Sequence, residues 1–187
     1  MTDPILKNLG PLAALAGVWE GDKGDDTAPA DDRGVETNLF RERIVFEPFG
    51  PARNHEQVLY GLRYSTIAWR LNEDSPFHEE RGYWMWDGGA KQVLRCFTIP
   101  RGMVVLAGGT AEPDAKSFQL TAELGSPTYG ICSNKFLDEE FKTVRFDLQV
   151  TVHDADSWSY EEDTQIQIKG QDDIFHHIDK NTLTRVS

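Results

Sequence analysis

The stretch TVRFDLQVTV alternates without a break. Val144, Phe146, Leu148, Val150 and Val152 take one parity; Arg145, Asp147, Gln149 and Thr151 take the other. Successive side chains of a strand leave on opposite faces, so this pattern buries one face of a sheet and wets the other. YEEDTQIQIK repeats it, with Tyr160, Thr164, Ile166 and Ile168 opposite Glu161, Asp163, Gln165 and Gln167. SFQLTAEL does so again with Phe118, Leu120, Ala122 and Leu124. Half-buried antiparallel strands are the expectation for all three.

Turn signals separate many such runs: EPFGP, WDGGAK, IPRGM, AEPDAKS, HDADS and IKGQDD. Strands are expected from near Val18, over Thr37–Glu47, Glu56–Tyr60, Leu62–Leu71, Glu79–Trp86 and Gln92–Ile99, then over Met103–Gly108, Ser117–Glu123, Thr143–His153, Trp158–Ile168 and the C-terminal stretch. DPILKNLGPLAALAG supplies one short helix, interrupted at Gly10 and Pro11. A meander of about ten strands must split or close, and closure removes its edges. The predicted fold is all-β, a closed antiparallel up-and-down barrel of about ten strands in one domain over 1–187. A barrel that wide encloses a cavity for a small-molecule ligand.

Charge narrows the partners. Acidic residues outnumber basic ones 31 to 19, for a net charge of −12. That field repels phosphate backbones and anionic lipid heads, so neither nucleic acid nor membrane is expected as a partner. No run reaches the roughly 18 apolar residues of a membrane span, and no signal-like leader is read, so the expected location is cytoplasmic. Cys96 and Cys132 lack metal spacing and read as free thiols. A homodimer is carried as an expectation. GDKGDDTAPADDRGVETN, acidic across 22–36, reads as a solvated loop between the first two strands, with a lid over the barrel mouth as the less favoured role.

No phosphate loop, dinucleotide fingerprint or nucleophile elbow is present. His78 stands beside Glu79 and Glu80, a pair suited to acid–base work, although a strand-start histidine with a local partner is the better reading. His153 and His55 read as solvated. In DDIFHHIDKNTLTRV, period two separates the neighbours: Ile174, His176 and Ile178 share one face, Phe175 and His177 the other. One imidazole therefore points inward. On spacing alone a buried, hydrogen-bonded histidine outweighs an iron ligand.

Three ordered motifs add to this reading. Leu12, Leu15, Gly17, Trp19 and Gly21 form Leu-x-x-Leu-x-Gly-x-Trp-x-Gly; His78, Glu80, Gly82, Tyr83 and Trp84 form His-x-Glu-x-Gly-Tyr-Trp; His177 and Ile178 open the C-terminal motif. Together they resemble the nitrobindin family of haem-binding barrels, similar in shape to fatty-acid-binding proteins. The resemblance implies a ten-stranded calycin-like barrel holding haem b, with His177 as the iron ligand and His176 as the alternative. It implies nitric oxide binding and isomerisation of peroxynitrite to nitrate, an open sixth coordination position, and apolar walls shaped by Trp19 and Gly21. The chain departs from the family at Lys23-Gly24-Asp25-Asp26, at Met85, and by one extra residue between His177 and Leu183, where a bulge would exchange the two histidines. Arg63, Arg70 and Lys180 are candidate cations at the mouth. A haem-free barrel carrying an apolar molecule such as a fatty acid is the alternative.

Overall fold

The computed structural model describes residues 4–186. Eleven strands form the wall: β1 (Gly17–Pro29), β2 (Val35–Asn54), β3 (Gln57–Arg70), β4 (His78–Asp87), β5 (Gln92–Ile99), β6 (Met103–Thr110), β7 (Ser117–Leu124), β8 (Gly130–Ser133), β9 (Phe141–Val152), β10 (Ser157–Ile168) and β11 (Phe175–Arg185). They close into one barrel in the order β1-β11-β10-β9-β7-β8-β6-β5-β4-β3-β2. The closed all-β barrel matches the sequence reading, with three corrections.

The wall has eleven strands rather than about ten, and it is not purely up-and-down. β6 and β7 meet at one residue pair, Gly108 with Thr121. β8 fills the gap, antiparallel to β6 and parallel to β7. The short helix α1 (Lys135–Glu140) follows β8, capped where the Asn134 side chain accepts from Leu137 N at 3.1 Å. The N-terminal helix is two 3-10 segments, Leu6–Asn8 and Gly10–Leu15, broken at Leu9, with Gly10 and Pro11 opening the second segment rather than interrupting it; Asp3 lies outside the described residues.

The third correction concerns the acidic segment. It is not a loop: most of it is β1, paired with β2 as far as Pro29 and Val35, and with β11 at Thr27 and Ile178. Ladders on both sides satisfy its backbone despite a composition that suits loops. Gly21 and Gly24 flank a bulge in the β1–β2 ladder. A Cβ on Gly21 would stand 2.7 Å from the Thr182 carbonyl oxygen, and one on Gly24 would stand 2.5 Å from the Phe40 ring. The hairpin tip beyond β1 reaches past β11, where Arg33 bonds Glu140 and the Lys169 carbonyl.

The interior is divided. The 3-10 segments close one end with Leu9, Leu12 and Leu15, fully buried against Trp86 and the aromatic cluster of Trp19, Phe46, Trp84 and Trp158. Buried charged and polar side chains occupy the other half: Asp26, Glu42, Thr66, Glu80, Arg95 and Asn181. No helix among the described residues is long and apolar enough to cross a membrane.

Candidate functional site

β11 pairs with β10 without interruption from Phe175 to Thr184, so its alternation is intact along the whole length. Asn181 and Leu183 are buried, which places His177 and Asp179 on the same inward parity. His176, with Ile178 and Lys180, faces outward; its Nδ1 lies 2.8 Å from Asp163 Oδ2 and more than half of its side chain is exposed. The irregularity that the extra residue suggested falls in β1, not β11.

His177 sits near the mouth opposite the 3-10 segments. Its Nε2 lies 2.8 Å from Asp26 Oδ1 and 3.3 Å from Asp179 Oδ2. Asp26 is held in turn by the Asn38 amide at 2.9 Å, and Asn38 accepts from Arg70 Nε at 2.8 Å. Nδ1 of His177 has no hydrogen-bond partner among the described residues. Burial works against an imidazolium here, yet the Asp26 hydrogen bond and the charges of Asp179, Asp26 and Glu162 outweigh it and carry the ring up to about 9. Burial, helped by repulsion from Glu162 and Asp26, pushes Asp179 up to about 8 against the pull of His177. Asp26 moves down despite its burial, because His177 and Asn38 both donate to it.

Behind this pair runs a second network. Arg95 bridges Glu80 at 2.6 Å and Glu162 at 2.8 Å, and Tyr64 donates to Glu80 at 2.9 Å. The guanidinium also stacks on Phe97, with its carbon 4.3 Å from the ring centre. Tyr160 and Asn181 both donate to Glu42, at 2.9 and 2.8 Å. His78 extends from the start of β4 with its Nε2 3.4 Å from Glu80 Oε1. The His-Glu-Gly-Trp positions of the central motif thus share one inward face, while Tyr83 is exposed on the outside against Phe49.

Trp19 is fully buried at the far end. Its indole donates to the Leu15 carbonyl at 2.7 Å, and Arg185 lies over its ring. It pairs with Arg185, eight residues along β11 from His177, or about 26 Å at 3.3 Å per residue. Gly21 lies against Thr182 and Asn181, where only a glycine leaves room for the neighbouring strand. Neither residue is brought to His177. Of the three candidate cations, Arg70 reaches the mouth, whereas Lys180 pairs outside with Asp25 and Arg63 covers Phe49 on the outer face. Cys96 and Cys132 are free, as expected.

Sequence reasoning missed Asp26, Arg95, Glu42 and Glu162. Parity from Tyr160 places Glu162 inside, a signal that its charge masked. Asp26 gave none while its segment read as a loop.

The donor set can be tested against the haem that the motifs imply. An axial imidazole needs one ring nitrogen free for the metal, and a carboxylate on the other nitrogen raises its basicity. His177 offers that pair, with Nε2 on buried Asp26 and Nδ1 free of hydrogen bonds. The residues fit, although the walls beside the imidazole carry acids where the resemblance implied apolar surface.

Comparison with known proteins agrees with this architecture. The model of the THAP4-like, heme-binding beta-barrel domain matches residues 8–185. A Leifsonia xyli subsp. xyli protein named peroxynitrite isomerase is 40% identical over 77 residues, which cover 41% of this chain and 34% of that protein. An Arabidopsis thaliana protein named peroxynitrite isomerase Rv2717c is 27% identical over 123 residues, covering 65% of this chain and 64% of its own length. The chain therefore spans between a third and two thirds of these relatives. The crystal structure of Rv2717c from M. tuberculosis superposes with a TM-score of 0.66 over 99% of both chains at 22% identity, which shows the shared fold. With a family model matched over nearly its whole length, this chain belongs to the THAP4-like, heme-binding β-barrel domain family, the nitrobindin group that its motifs resemble.

Proposed function

We propose that the chain, read as one haem-binding unit over 1–187, holds a b-type haem with His177 as the axial ligand, and that it acts as a peroxynitrite isomerase, the activity named for its relatives. The observation that carries this is the inward His177 imidazole, fixed through Nε2 by buried Asp26 with its other nitrogen free. Bound haem would supply a Lewis-acidic ferric centre for rearranging peroxynitrite to nitrate. Asp26 orients the imidazole and strengthens it as a donor, and Asn38 with Arg70 holds Asp26. With His177 neutral as the ligand, an anion arriving at this mouth meets Arg70 as its positive group. Trp19 and Gly21 support the site through the wall: one fills the core, and the other lets β11 approach β1. A cytoplasmic location fits this reading.

A haem-free carrier of an apolar molecule is the second reading. It fits less well, because Asp26, Glu80, Glu162 and Asp179 occupy the interior beside the mouth, where a fatty-acid chain would need hydrocarbon.

Hemin titration of the purified protein, followed by absorbance, tests the proposal. The expected result is a saturable Soret shift that His177→Ala loses and His176→Ala keeps, with faster nitrate formation from peroxynitrite on the loaded protein. No saturable shift would overturn it.

A further inference from the structure

The acids around His177 are more numerous than a haem ligand requires. Asp26, Glu42, Glu80, Glu162 and Asp179 all point into the barrel, against Arg95 and the imidazoles of His78 and His177 as the basic groups beside them. Arg95 is committed to Glu80 and Glu162. Glu42 is held by Tyr160 and Asn181, which leaves two carboxylates, Asp26 and Asp179, facing one imidazole from two different strands.

The spacing of these three groups is specific. One oxygen from each carboxylate and one nitrogen of His177 lie within 4.8 Å of one another, with nitrogen-to-oxygen separations of 2.8 and 3.3 Å. Ligand atoms about 2.1 Å from a shared divalent ion stand roughly 3.0 to 3.4 Å apart in octahedral or tetrahedral geometry. The His177–Asp179 separation falls in that range and the His177–Asp26 separation lies just below it, so a small outward shift of Asp26 would let one ion reach all three donors. β1 and β11 hold them in neighbouring register, with Asp26 opposite Asp179 across the ladder, so neither carboxylate needs a loop to close. Asp26 is buried and fixed by Asn38, whereas His177 and Asp179 each keep about a quarter of their side chains exposed towards the mouth.

We infer that, without haem, Asp26, His177 and Asp179 bind a borderline divalent cation of the zinc or manganese class through one nitrogen and two carboxylate oxygens. On binding, the ion displaces to solvent the proton shared by Nε2 and Asp26 and any proton on Asp179, and its remaining positions stay open to water. The inference uses the imidazole of the proposed haem site. A neutral imidazole has one lone pair, so the cation and haem iron compete for His177.

Calorimetric titration of the haem-free protein with Zn²⁺, and separately with Mn²⁺, tests this, alongside Asp179→Asn and the outer-face control His176→Ala. One-to-one binding weakened tenfold or more in Asp179→Asn and unchanged in His176→Ala is expected. Saturating Zn²⁺ should also weaken hemin binding in proportion to its occupancy. Absent binding of both ions, or full affinity in Asp179→Asn, overturns the cation site. Tryptophan fluorescence of each variant checks that the barrel is folded. The hemin arm separates the two readings: hemin binding without cation binding removes this site alone, and cation binding without hemin binding removes the haem proposal alone.

Discussion

Arg95 Nη2 lies 2.6 Å from Glu80 Oε2, with both side chains less than a tenth exposed and Glu162 on the other arm of the guanidinium. The arginine leaves two carboxylates stranded if it is removed. Such losses cost roughly 3–5 kcal/mol, much more than an exposed pair at about 1 kcal/mol or less. Arg95→Met should therefore lower the urea midpoint sharply. Arg145→Ala, which breaks surface contacts with Asp147 and Glu123, should scarcely move it.

Glu42 makes stability depend on pH in a particular direction. Burial pushes its carboxyl up to about 7, with repulsion from Glu80 adding to the effect and the Asn181 and Tyr160 hydrogen bonds opposing it. A raised folded-state value contributes stability below the unfolded value near 4.5, and that contribution is lost as pH rises through 7. Glu42→Gln cannot ionise. It should be more stable than the parent at pH 8 by on the order of 3 kcal/mol, with the gap shrinking towards pH 5. Urea unfolding at both pH values measures it. A constant difference across that range would refute this assignment.

The glycine in the central motif has a packing role that substitution exposes. A Cβ on Gly82 would stand 2.0 Å from the Cys96 carbonyl oxygen, a backbone atom of the adjacent strand that cannot swing away. Gly82→Ala should destabilise by about 1–3 kcal/mol, the usual range for overpacking. Gly24→Ala, whose nearest neighbours are atoms of the Phe40 side chain rather than backbone, should cost less. Thermal melts of the two variants give the order.

The charge on His177 rests on its acidic partners, chiefly the Asp26 hydrogen bond. Asp26→Asn should bring the imidazole down from about 9 towards the ordinary histidine range, read from its ring protons by NMR titration of the haem-free protein. A His177 value that stays near 9 would mean that Asp179 and Glu162 suffice without Asp26.

How much of this was legible in the sequence depends on the residue. β9 and β10 were plain, because Val144 to Val152 and Tyr160 to Ile168 alternate cleanly. β8 was invisible: four residues, GICS, are too few to show a period. β1 was misread because Gly, Asp and Pro are loop formers in isolation, and its strand character comes from ladders on both sides. The histidine pair was ambiguous for a related reason. Both parities carry apolar residues there, Ile174 and Ile178 beside His176 and Phe175 beside His177, yet Ile174 is exposed, and it is Asn181 and Leu183 that mark the inner parity. Buried charges such as Glu42 and Arg95 follow no composition rule, since only their partners make burial tolerable.

A cylinder held by hydrogen bonds all round has no preferred place to part, unless one line of bonds is thinner than the rest. Here that line runs between β6 and β7, joined at Gly108 and Thr121 alone and bridged by the four residues of β8. The molecule therefore carries its own zip. Amide exchange should be fastest along β8, and the interior is reached through the wall at the least cost by unfastening that short strand while the other staves stay in place.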